Sequence, residues 1–356
     1  MPQRTRRMST HHTVVMRLDA SVRGGLGHLR RCAVLGRELH RRGAAVHVLA
    51  RAPDVDARRE VVGFAAQCDP MDAARGAADA GAVVDYCRRA GATRLVVDHY
   101  DADEAYQSVL LAGGARWLQF DGQPAGPLWA DWVLAMQPSA SVERYEPLRR
   151  RPQTRWLLGP AYALLREEFA AGRGAAGAAQ TQPMRTLLCF GGGDDYGATL
   201  LSLRALAQAG WRAPVDIALG SAAPRRGEVE SWIAGEPPFP VTLHVDADNM
   251  VELLRNAGLA LIAGGTTSFE AAALGTPSLI IQTAPNQRPN GAAWQALGAA
   301  LDMGPLERLD AATLGAAASG LAADEQRRRA MAAAGRDSVD GLGAKRVADA
   351  LLGNGT

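Results

Sequence analysis

A histidine follows a glycine-rich turn near the beginning of the chain. The segment Arg17–Ser21 (RLDAS) leads into Gly24–His28 (GGLGH), and a helical pattern begins directly afterwards. Glycines in such a turn let a ligand approach the backbone closely, and the start of a helix attracts anions. An imidazole titrates near neutral pH, which suits His28 to acid–base chemistry. A plain role at the start of the helix is the alternative, and spacing alone favours neither.

The same turn lacks the pattern of a nicotinamide-binding site. Such a site needs a third glycine at the spacing Gly-x-Gly-x-x-Gly and an acidic residue at the end of the second strand. Here the second predicted strand ends with Leu49–Arg51 (LAR). We therefore expect no nicotinamide, and we predict no other cofactor.

A second glycine turn lies in the other half of the chain. Ala263–Glu270 reads AGGTTSFE, follows the apolar run Leu259–Ile262 and opens a helical pattern. The N–H groups and the dipole at the start of a helix stabilise the charge of a diphosphate. Glu270, about one turn into the helix, could bind the two hydroxyls of a ribose. The alternative is a capping box of Thr267 and Glu270, which does not explain the two glycines as well.

Two further loops carry polar groups after apolar runs. Gly191–Asp195 (GGGDD) could form a backbone cradle for a phosphate or a sugar, or a plain flexible turn. The adjacent amides of Asn286 and Gln287 could bind sugar hydroxyl or acetamido groups. Ordinary helix capping explains these two amides equally well.

Two Asp-Ala-Asp triplets could in principle hold a metal beside a diphosphate. They are Asp101–Asp103 and Asp246–Asp248. Both precede helical patterns, so their position favours N-capping. We therefore predict no metal site.

The elements that must position these motifs alternate along the chain. Strand-like apolar runs are separated by helical patterns, which favours parallel sheets covered by helices on both faces. The alternation stops over Ala170–Pro183 (AAGRGAAGAAQTQP) and then restarts. We therefore predict an α/β fold of two Rossmann-like domains, whose parallel sheets face across a ligand-binding cleft.

The predicted boundaries follow from this break. They are a disordered extension over residues 1–12, a first domain over 13–169 that carries His28, a linker over 170–183 and a nucleotide-binding second domain over 184–356. The predicted strands are centred on residues 14–16, 46–49, 95–97, 117–120 and 132–134, and on 186–190, 215–219, 241–245, 259–262 and 279–281.

Composition narrows the class of partner. The 356 residues include 39 Lys and Arg against 37 Asp and Glu, a net charge of +2, which gives no field that implies a nucleic-acid partner. No apolar run approaches the ~20 residues of a membrane helix, so we predict no stable membrane insertion. The four cysteines have no metal-ligand spacing, which favours reduced thiols in the cytoplasm. We expect a monomer that binds a small molecule.

Taken together, these motifs resemble one family. It is the UDP-sugar hydrolase family of pseudaminic acid biosynthesis, which cleaves UDP-2,4-diacetamido-2,4,6-trideoxy-β-L-altropyranose and is similar in fold to the MurG-like GT-B glycosyltransferases. The resemblance spans nearly the whole chain, in order. It is carried by Arg17–Cys32, Asp98–Tyr100 (DHY), Leu157–Phe169, Phe190–Asp195, Ala263–Leu279 and Asn286-Gln287.

The resemblance implies roles for particular residues. It makes His28 the catalytic histidine, Tyr100 a residue that positions the reacting water or substrate, and Glu270 the acid that binds the nucleotide. With the glycine turns, the predicted substrate-binding residues are Arg17, Asp19, Ser21, Gly25, Gly27, Gly192, Gly193, Asp194, Met250, Gly264, Gly265, Thr266, Thr267, Glu270, Asn286 and Gln287.

The chain departs from the family pattern at several positions. The phosphate loop of the family reads Gly-Gly-Ser-Asp-Pro, and here Gly193 and Asp195 replace the serine and the proline. An Asp-Asp pair after the fourth strand appears as Asp121-Gly122, and an aspartate before the run at Leu259 appears as Gly258. These changes bear on the identity of the sugar more than on the class of reaction.

On this resemblance we predict an inverting hydrolase. Water would attack the anomeric carbon of a UDP-linked 2,4-diacetamido-trideoxy sugar with His28 as general base, releasing UDP and the free sugar. Two alternatives stay open: a GT-B glycosyltransferase that uses a UDP-amino-sugar donor, and a non-catalytic module that binds a nucleotide-sugar. Release of UDP without an acceptor would favour the hydrolase, and binding without turnover the module.

Overall fold

The computed structural model describes residues 12–19, 27–51, 60–173, 184–193 and 195–353. The chain divides into two compact units. The first contains the described residues up to 136, together with 140–158 and 344–353, and the second contains 137–139 and 159–343. The predicted α/β fold of two domains with parallel sheets is confirmed, because each unit is built on a parallel sheet flanked by helices.

The first sheet has seven parallel strands in the order β3-β2-β1-β4-β5-β6-β7. Its central strand β1 is buried along its apolar stretch, as expected for a strand covered on both faces. Strands β2 and β3 extend the sheet on one side of β1, and β4 to β7 extend it on the other side, so the strand order reverses between β1 and β4. The strands are β1 Thr13–Asp19, β2 Ala45–Arg51, β3 Ala65–Pro70, β4 Arg94–Asp98, β5 Trp117–Phe120, β6 Trp132–Ala135 and β7 Arg155–Leu158.

Local signals in the sequence explain where the helices of this unit begin and end. Gly43 follows α1 with a φ of 85°, the left-handed conformation that the predicted helix end requires. Asp103 caps α3 by accepting from the N–H of Tyr106 at 2.9 Å, as predicted for the first aspartate triplet. The helices are α1 Gly27–Arg41, α2 Ala77–Arg89, α3 Glu104–Ala112 and α4 Val142–Tyr145, which continues into a 3-10 turn over Glu146–Leu148.

The second sheet has six parallel strands in the order β10-β9-β8-β11-β12-β13. Its direction of strand addition reverses between β8 and β11, and β11 is buried along its whole length. The strands are β8 Arg185–Cys189, β9 Val215–Leu219, β10 Val241–Val245, β11 Ala257–Ala263, β12 Ser278–Gln282 and β13 Leu301–Pro305.

Nine further helices lie within the described residues, eight of them in the second unit. They are α5 Glu167–Gly172, α6 Ala198–Gln208, α7 Arg226–Ala234, α8 Met250–Asn256, α9 Thr266–Leu274, α10 Arg288–Ala296, α11 Ala311–Ala323, α12 Glu325–Ser338 and, at the end of the chain, α13 Gly343–Leu352. Short 3-10 turns cover Pro160–Tyr162, Pro285–Gln287 and Leu306–Arg308. None of the helices in the described ranges is long and apolar enough to cross a membrane.

The division of the chain differs from the predicted boundaries at both ends of the second unit. Helix α5 lies in that unit although its first three residues belong to the predicted first domain and its last three to the predicted linker, and Arg173 donates to the carbonyl of Arg336 at 2.9 Å. Helix α13 lies in the first unit, where Arg94 Nε donates to the carbonyl of Leu351 at 2.8 Å. Most of the predicted extension and linker, residues 1–11 and 174–183, lies outside the described residues.

Candidate functional site

The candidate catalytic residues of the first unit lie beside β1 and β4, the neighbouring strands between which the strand order reverses. Ligands of doubly wound sheets bind beyond the carboxyl ends of the strands at this point. His28 is the second residue of α1, and Asp98, His99 and Tyr100 follow one another at the end of β4. The structure therefore brings together the Gly-His motif and the Asp-His-Tyr motif, which are about 70 residues apart in the chain.

His28 is held by a carboxylate. Its Nδ1 lies 2.7 Å from Oδ1 of Asp98, and the whole residue is only 9% exposed. An ionised carboxylate can only accept, so the proton of the neutral imidazole lies on Nδ1 and the lone pair on Nε2. Arg31 Nη2 is also 3.0 Å from Nδ1. We assign the hydrogen bond to Asp98 because that distance is shorter and the acceptor is charged.

Asp98 is kept ionised by its surroundings. Burial alone would raise the pKa of its carboxyl group, but the Arg31 guanidinium and the hydrogen bond from His28 lower it well below the usual value. Arg31 Nε donates to Asp98 Oδ2 at 2.6 Å, and the guanidinium stacks on Phe120 at 4.7 Å. Burial also raises the pKa of the Cys32 thiol, which donates to the same carboxylate at 3.3 Å. The result is a buried carboxylate that is charged and fully engaged.

Tyr100 contacts the imidazole from the solvent side. Its ring meets that of His28 edge-on, with centroids 4.8 Å apart and an angle of 81° between the planes. Tyr100 is 81% exposed, so its packing inside the unit does not explain why a large aromatic residue stands here. Its contact with a substrate or a reacting water stays a prediction.

Arg17 and Asp19 lie in a different environment from the one expected. Arg17 is 1% exposed and donates to the carboxylate of Asp79 at 2.6 to 3.2 Å, to Asp19 at 2.8 Å and to the carbonyl of Leu18 at 2.5 Å. Protein acceptors thus occupy the Arg17 guanidinium. Asp19 is partly exposed and also pairs with Arg75 at 3.5 Å. Gly27 is the first residue of α1, whereas Ser21 and Gly25 lie outside the described residues.

The second candidate region lies where the other sheet reverses. Gly264 and Gly265 follow β11, and α9 begins at Thr266 with Gly265 as its N-cap residue. The N-cap residue Gly265 has no side chain that could cap this helix start. The alternative of a capping box is wrong, because Thr267 lies inside the helix rather than at the cap. Glu270 is half-buried in the second turn of α9.

The two predicted amides differ in their contacts. Asn286 is exposed in the 3-10 turn. Gln287 instead accepts through Oε1 from the N–H groups of Gly264 at 3.2 Å and Thr283 at 3.0 Å. Its carbonyl oxygen therefore holds the glycine turn.

The triple-glycine loop follows β8, and the Gly264–Gly265 turn follows β11. These two strands are neighbours in the sheet, so both loops lie at the same edge. Gly192 and Gly193 are exposed, and a Cβ at either position would meet nothing within 4 Å in the described part of the chain. Asp195, which replaces the proline of the family pattern, caps α6 by accepting from the N–H groups of Gly197 and Thr199, each at 2.9 Å. Asp194 lies outside the described residues.

The structure also shows the surroundings of Gly258, Met250 and the second aspartate triplet. A Cβ at Gly258 would clash with the side chain of Met184, which accounts for the missing aspartate there. Met250 is the partly buried first residue of α8. The capping prediction for the second aspartate triplet is wrong: Asp246 has a φ of 50° and accepts from the N–H of Ser221 at 2.9 Å, and Asn249 precedes α8.

Sequence reasoning missed several residues that hold these regions. Asp98 was part of a recognised motif but was not identified as the partner of His28. Arg31 follows His28 by three residues on α1, a spacing that places two side chains on one face of a helix. For Asn290 and Trp294, the sequence offers no indication of a role beyond their helical spacing from Gln287. Among the described residues, no group of His, Cys, Asp or Glu is arranged to hold a metal ion.

Comparison with known proteins extends the description of the fold. No protein-family model matches the chain. The spore coat polysaccharide biosynthesis protein SpsG of Bacillus subtilis is 29% identical over 200 residues, which are 54% of this chain. The chain spans little more than half, 57%, of the length of that relative.

Two solved structures show the same fold over almost the whole chain. MurG from Acinetobacter baumannii superposes with a TM-score of 0.70 at 15% identity, over 96% of this chain and 99% of MurG. UDP-GlcNAc 2-epimerase from Neisseria meningitidis, solved with UDP-GlcNAc bound, gives 0.63 at 13% identity, over 96% and 100% of the two chains. The chain therefore has the MurG-like GT-B fold.

Proposed function

We propose that the protein is an enzyme that acts on a uridine-diphosphate sugar, with His28 as the general base. The hydrogen bond of 2.7 Å between His28 Nδ1 and Asp98 carries this proposal. It leaves Nε2 as the basic atom of the ring. The edge-on contact with the exposed Tyr100 marks the side from which a substrate can reach the imidazole.

The proposed reaction is a single displacement at the anomeric carbon. His28 Nε2 removes the proton from an attacking hydroxyl as its oxygen bonds to the anomeric carbon, and the bond from that carbon to the phosphate oxygen breaks. The configuration inverts, because the nucleophile attacks opposite the leaving group. General-base assistance of this kind contributes about 10²- to 10⁴-fold in rate.

The second unit is proposed to hold the leaving group. The first turn of a helix presents N–H groups that have no partner within the helix. At the start of α9, where the N-cap residue Gly265 has no side chain, these groups and the helix dipole suit the negative charge that UDP gains as it leaves. Glu270 in the same helix is the proposed partner of the ribose hydroxyls.

Transfer to an acceptor hydroxyl is the first candidate for the chemistry. The SpsG relative is named for polysaccharide biosynthesis, and glycosyltransferases share the MurG-like GT-B fold of this chain. The glycine turns and the Asp-His-Tyr motif are equally compatible with this reaction. The acceptor would occupy the position beside His28 and Tyr100.

Hydrolysis of a UDP-linked diacetamido-trideoxy sugar is the second candidate. The set of Gly-Leu-Gly-His, Asp-His-Tyr and Gly-Gly-Thr-Thr-Ser-Phe-Glu favours it, since these segments together resemble the hydrolase family. In that case water takes the place of the acceptor hydroxyl. His28, Tyr100 and the second-unit residues keep the same roles.

One experiment tests the proposal and separates the two candidates. The protein is incubated with a panel of UDP-amino-sugars, with and without sugar acceptors, and ¹H and ³¹P NMR follow UDP, free sugar and anomeric configuration. UDP release that needs an acceptor identifies a transferase, and release in water with inversion identifies a hydrolase. Binding of UDP-sugars without turnover under any condition would reduce the protein to a binding module and refute the proposal.

A further inference from the structure

One face of α10 contacts the glycine turn that opens α9. Gln287, at the end of the preceding 3-10 turn, is followed by Asn290 and Trp294 at intervals of three and four residues. Such intervals place side chains on one side of a helix. All three side chains make hydrogen bonds to the turn or to the first turn of α9.

The side chains of Gln287 and Asn290 both form hydrogen bonds with the backbone of Gly264. Gln287 Oε1 accepts from the N–H of Gly264 at 3.2 Å, and Asn290 Nδ2 donates to the carbonyl of Gly264 at 3.1 Å. Gly264 leaves room for these two hydrogen bonds, because a Cβ there would approach Gln287 Cβ to 3.2 Å and Ile280 Cγ2 to 3.3 Å. Both polar backbone atoms of Gly264 are therefore held by side chains of the neighbouring segment.

The Trp294 side chain is linked to the backbone of Gly265 through the hydroxyl of Ser268. Trp294 Nε1 donates to Ser268 Oγ at 2.9 Å, and Ser268 Oγ donates to the carbonyl of Gly265 at 2.7 Å. Trp294 is 1% exposed and Ser268 3% exposed, so neither bond competes with water. The Trp294 ring also packs edge-on against Phe269 at 5.2 Å. These two bonds in series, together with the N–H of Ser268, which donates to the same oxygen at 3.1 Å, fix the carbonyl of Gly265, which is the N-cap residue of α9.

We propose that Gln287, Asn290 and the Trp294–Ser268 pair are positioning residues for the diphosphate. They hold the carbonyls of Gly264 and Gly265 away from the ligand, so that the N–H groups of the first turn of α9 point toward it. This inference rests on the proposed function. It assigns Gln287 to the support of the turn rather than to the sugar.

The test compares UDP with uridine, which lacks the diphosphate. Isothermal titration calorimetry gives the Kd of both ligands for the unaltered protein, Ser268→Ala, Trp294→Phe and the double variant. The ratio of the two Kd values is unaffected by a partly unfolded population, since both ligands lose the same fraction of binding sites. Gln295→Ala is the matched control, because Gln295 lies on α10 but bonds to the backbone of Asp302 instead of the turn.

Each single variant should weaken UDP by roughly three- to tenfold while leaving uridine unchanged. The double variant should be no weaker than the singles, because the two bonds form one series. Equal losses for UDP and uridine, or an unchanged ratio in both single variants, would overturn the inference alone. Failure of the unaltered protein to bind UDP would instead overturn the proposed function, and this inference with it.

Discussion

At the scale of single residues, the pair of Asp98 and His28 determines what the first unit can do. Asp98 is 1% exposed and accepts hydrogen bonds from both Arg31 and His28. Its pKa is depressed, so the carboxylate stays charged down to a pH far below the neutral range. A charged acceptor at Nδ1 is what keeps Nε2 available as a base.

Replacing Asp98 by asparagine tests this assignment. The amide of the introduced asparagine can donate to Nδ1, which would place the imidazole proton on Nε2, where it blocks base catalysis. For Asp98→Asn we expect kcat to fall by about 10²-fold or more, with little change in the Kd of UDP. Asp85→Asn, which replaces an exposed carboxylate paired with Arg88, serves as the control. Full turnover by Asp98→Asn would show that Asp98 does not set the tautomer.

The burial of His99 predicts that the free energy of unfolding depends on pH. It is 7% exposed, and burial, together with the charge of Arg17, lowers its pKa to about 4. In the unfolded chain a histidine has a pKa of about 6.5. Between these two values the unfolded chain binds a proton that the folded protein does not. The free energy of unfolding therefore falls as the pH is lowered through this window, and no further below it.

Urea unfolding of the protein and of His99→Gln at pH 7 and pH 5 measures this effect. Between the two pH values the unaltered protein should lose about 2 kcal/mol more than His99→Gln, because the other titrating groups cancel in the difference. Equal losses would mean that His99 is protonated in the folded protein at pH 5.

At the scale of elements, glycines let two loops of the second unit approach closely. A Cβ at Gly220, after β9, would clash with the carbonyl of Gly192 in the triple-glycine loop. This close approach fixes the position of the triple-glycine loop against the residue that follows β9. The composition of the loop alone does not reveal it.

Gly220→Ala should displace the Gly192 loop. We expect a loss of about 1–3 kcal/mol in the free energy of unfolding, as for an overpacked site, together with weaker UDP binding. Gly227→Ala is the control, since Gly227 lies in α7 and an added Cβ there would meet no described atom within 4 Å. There alanine should stabilise the helix by about 0.5–1 kcal/mol. Identical behaviour of the two variants in urea titrations would contradict this role of Gly220.

The sequence predicted the central strands because burial on both faces demands continuous apolar runs, as in β1 and β11. It missed β3, β7 and β13, which are all edge strands. β3 (AAQCDP) and β13 (LDMGP) have no fully buried position, so neither needs an apolar pattern. The two glycine turns of the second unit were located correctly for the same reason as the central strands: they follow β8 and β11 directly.

At the scale of the whole molecule, the far end of the chain supports the first unit. Helix α13 buries Val347, Ala348 and Leu351 completely, and Arg42 donates to the carbonyl of Lys345 at 3.1 Å. The first sheet thus depends on residues more than 250 positions away in sequence, as the pairing of Arg94 with Leu351 shows, with a separation of 257 residues. The break in the alternation gave no indication of this return.

Leu351→Ala should therefore destabilise the first unit selectively. Removal of a fully buried leucine costs about 2–5 kcal/mol. Hydrogen exchange followed by mass spectrometry should show faster exchange in β1 and β4 and unchanged exchange in β8 and β11. Leu342→Ala, at a position that is 36% exposed, is the control. Uniform acceleration in both sheets would show that the two units unfold together.

The candidate site could be predicted only in part, because its partners come from distant segments. His28 and Tyr100 were identified by motifs, yet the contact between His28 and Asp98 spans 70 residues and depends on the strand order. Gln287 was identified as a ligand-binding amide because sequence shows the type of a side chain but not its hydrogen-bond partner. Only the fold reveals that its carbonyl oxygen is taken up by Gly264 and Thr283.

The most direct test of His28 as the general base is the rate of UDP release by His28→Ala, measured by ³¹P NMR with the best UDP-sugar found in the panel. We predict a rate at least about 10²-fold below that of the unaltered protein, with the Kd of UDP essentially unchanged in calorimetry. Turnover by His28→Ala at the rate of the unaltered protein would contradict this role, because the proton would then be removed by another group.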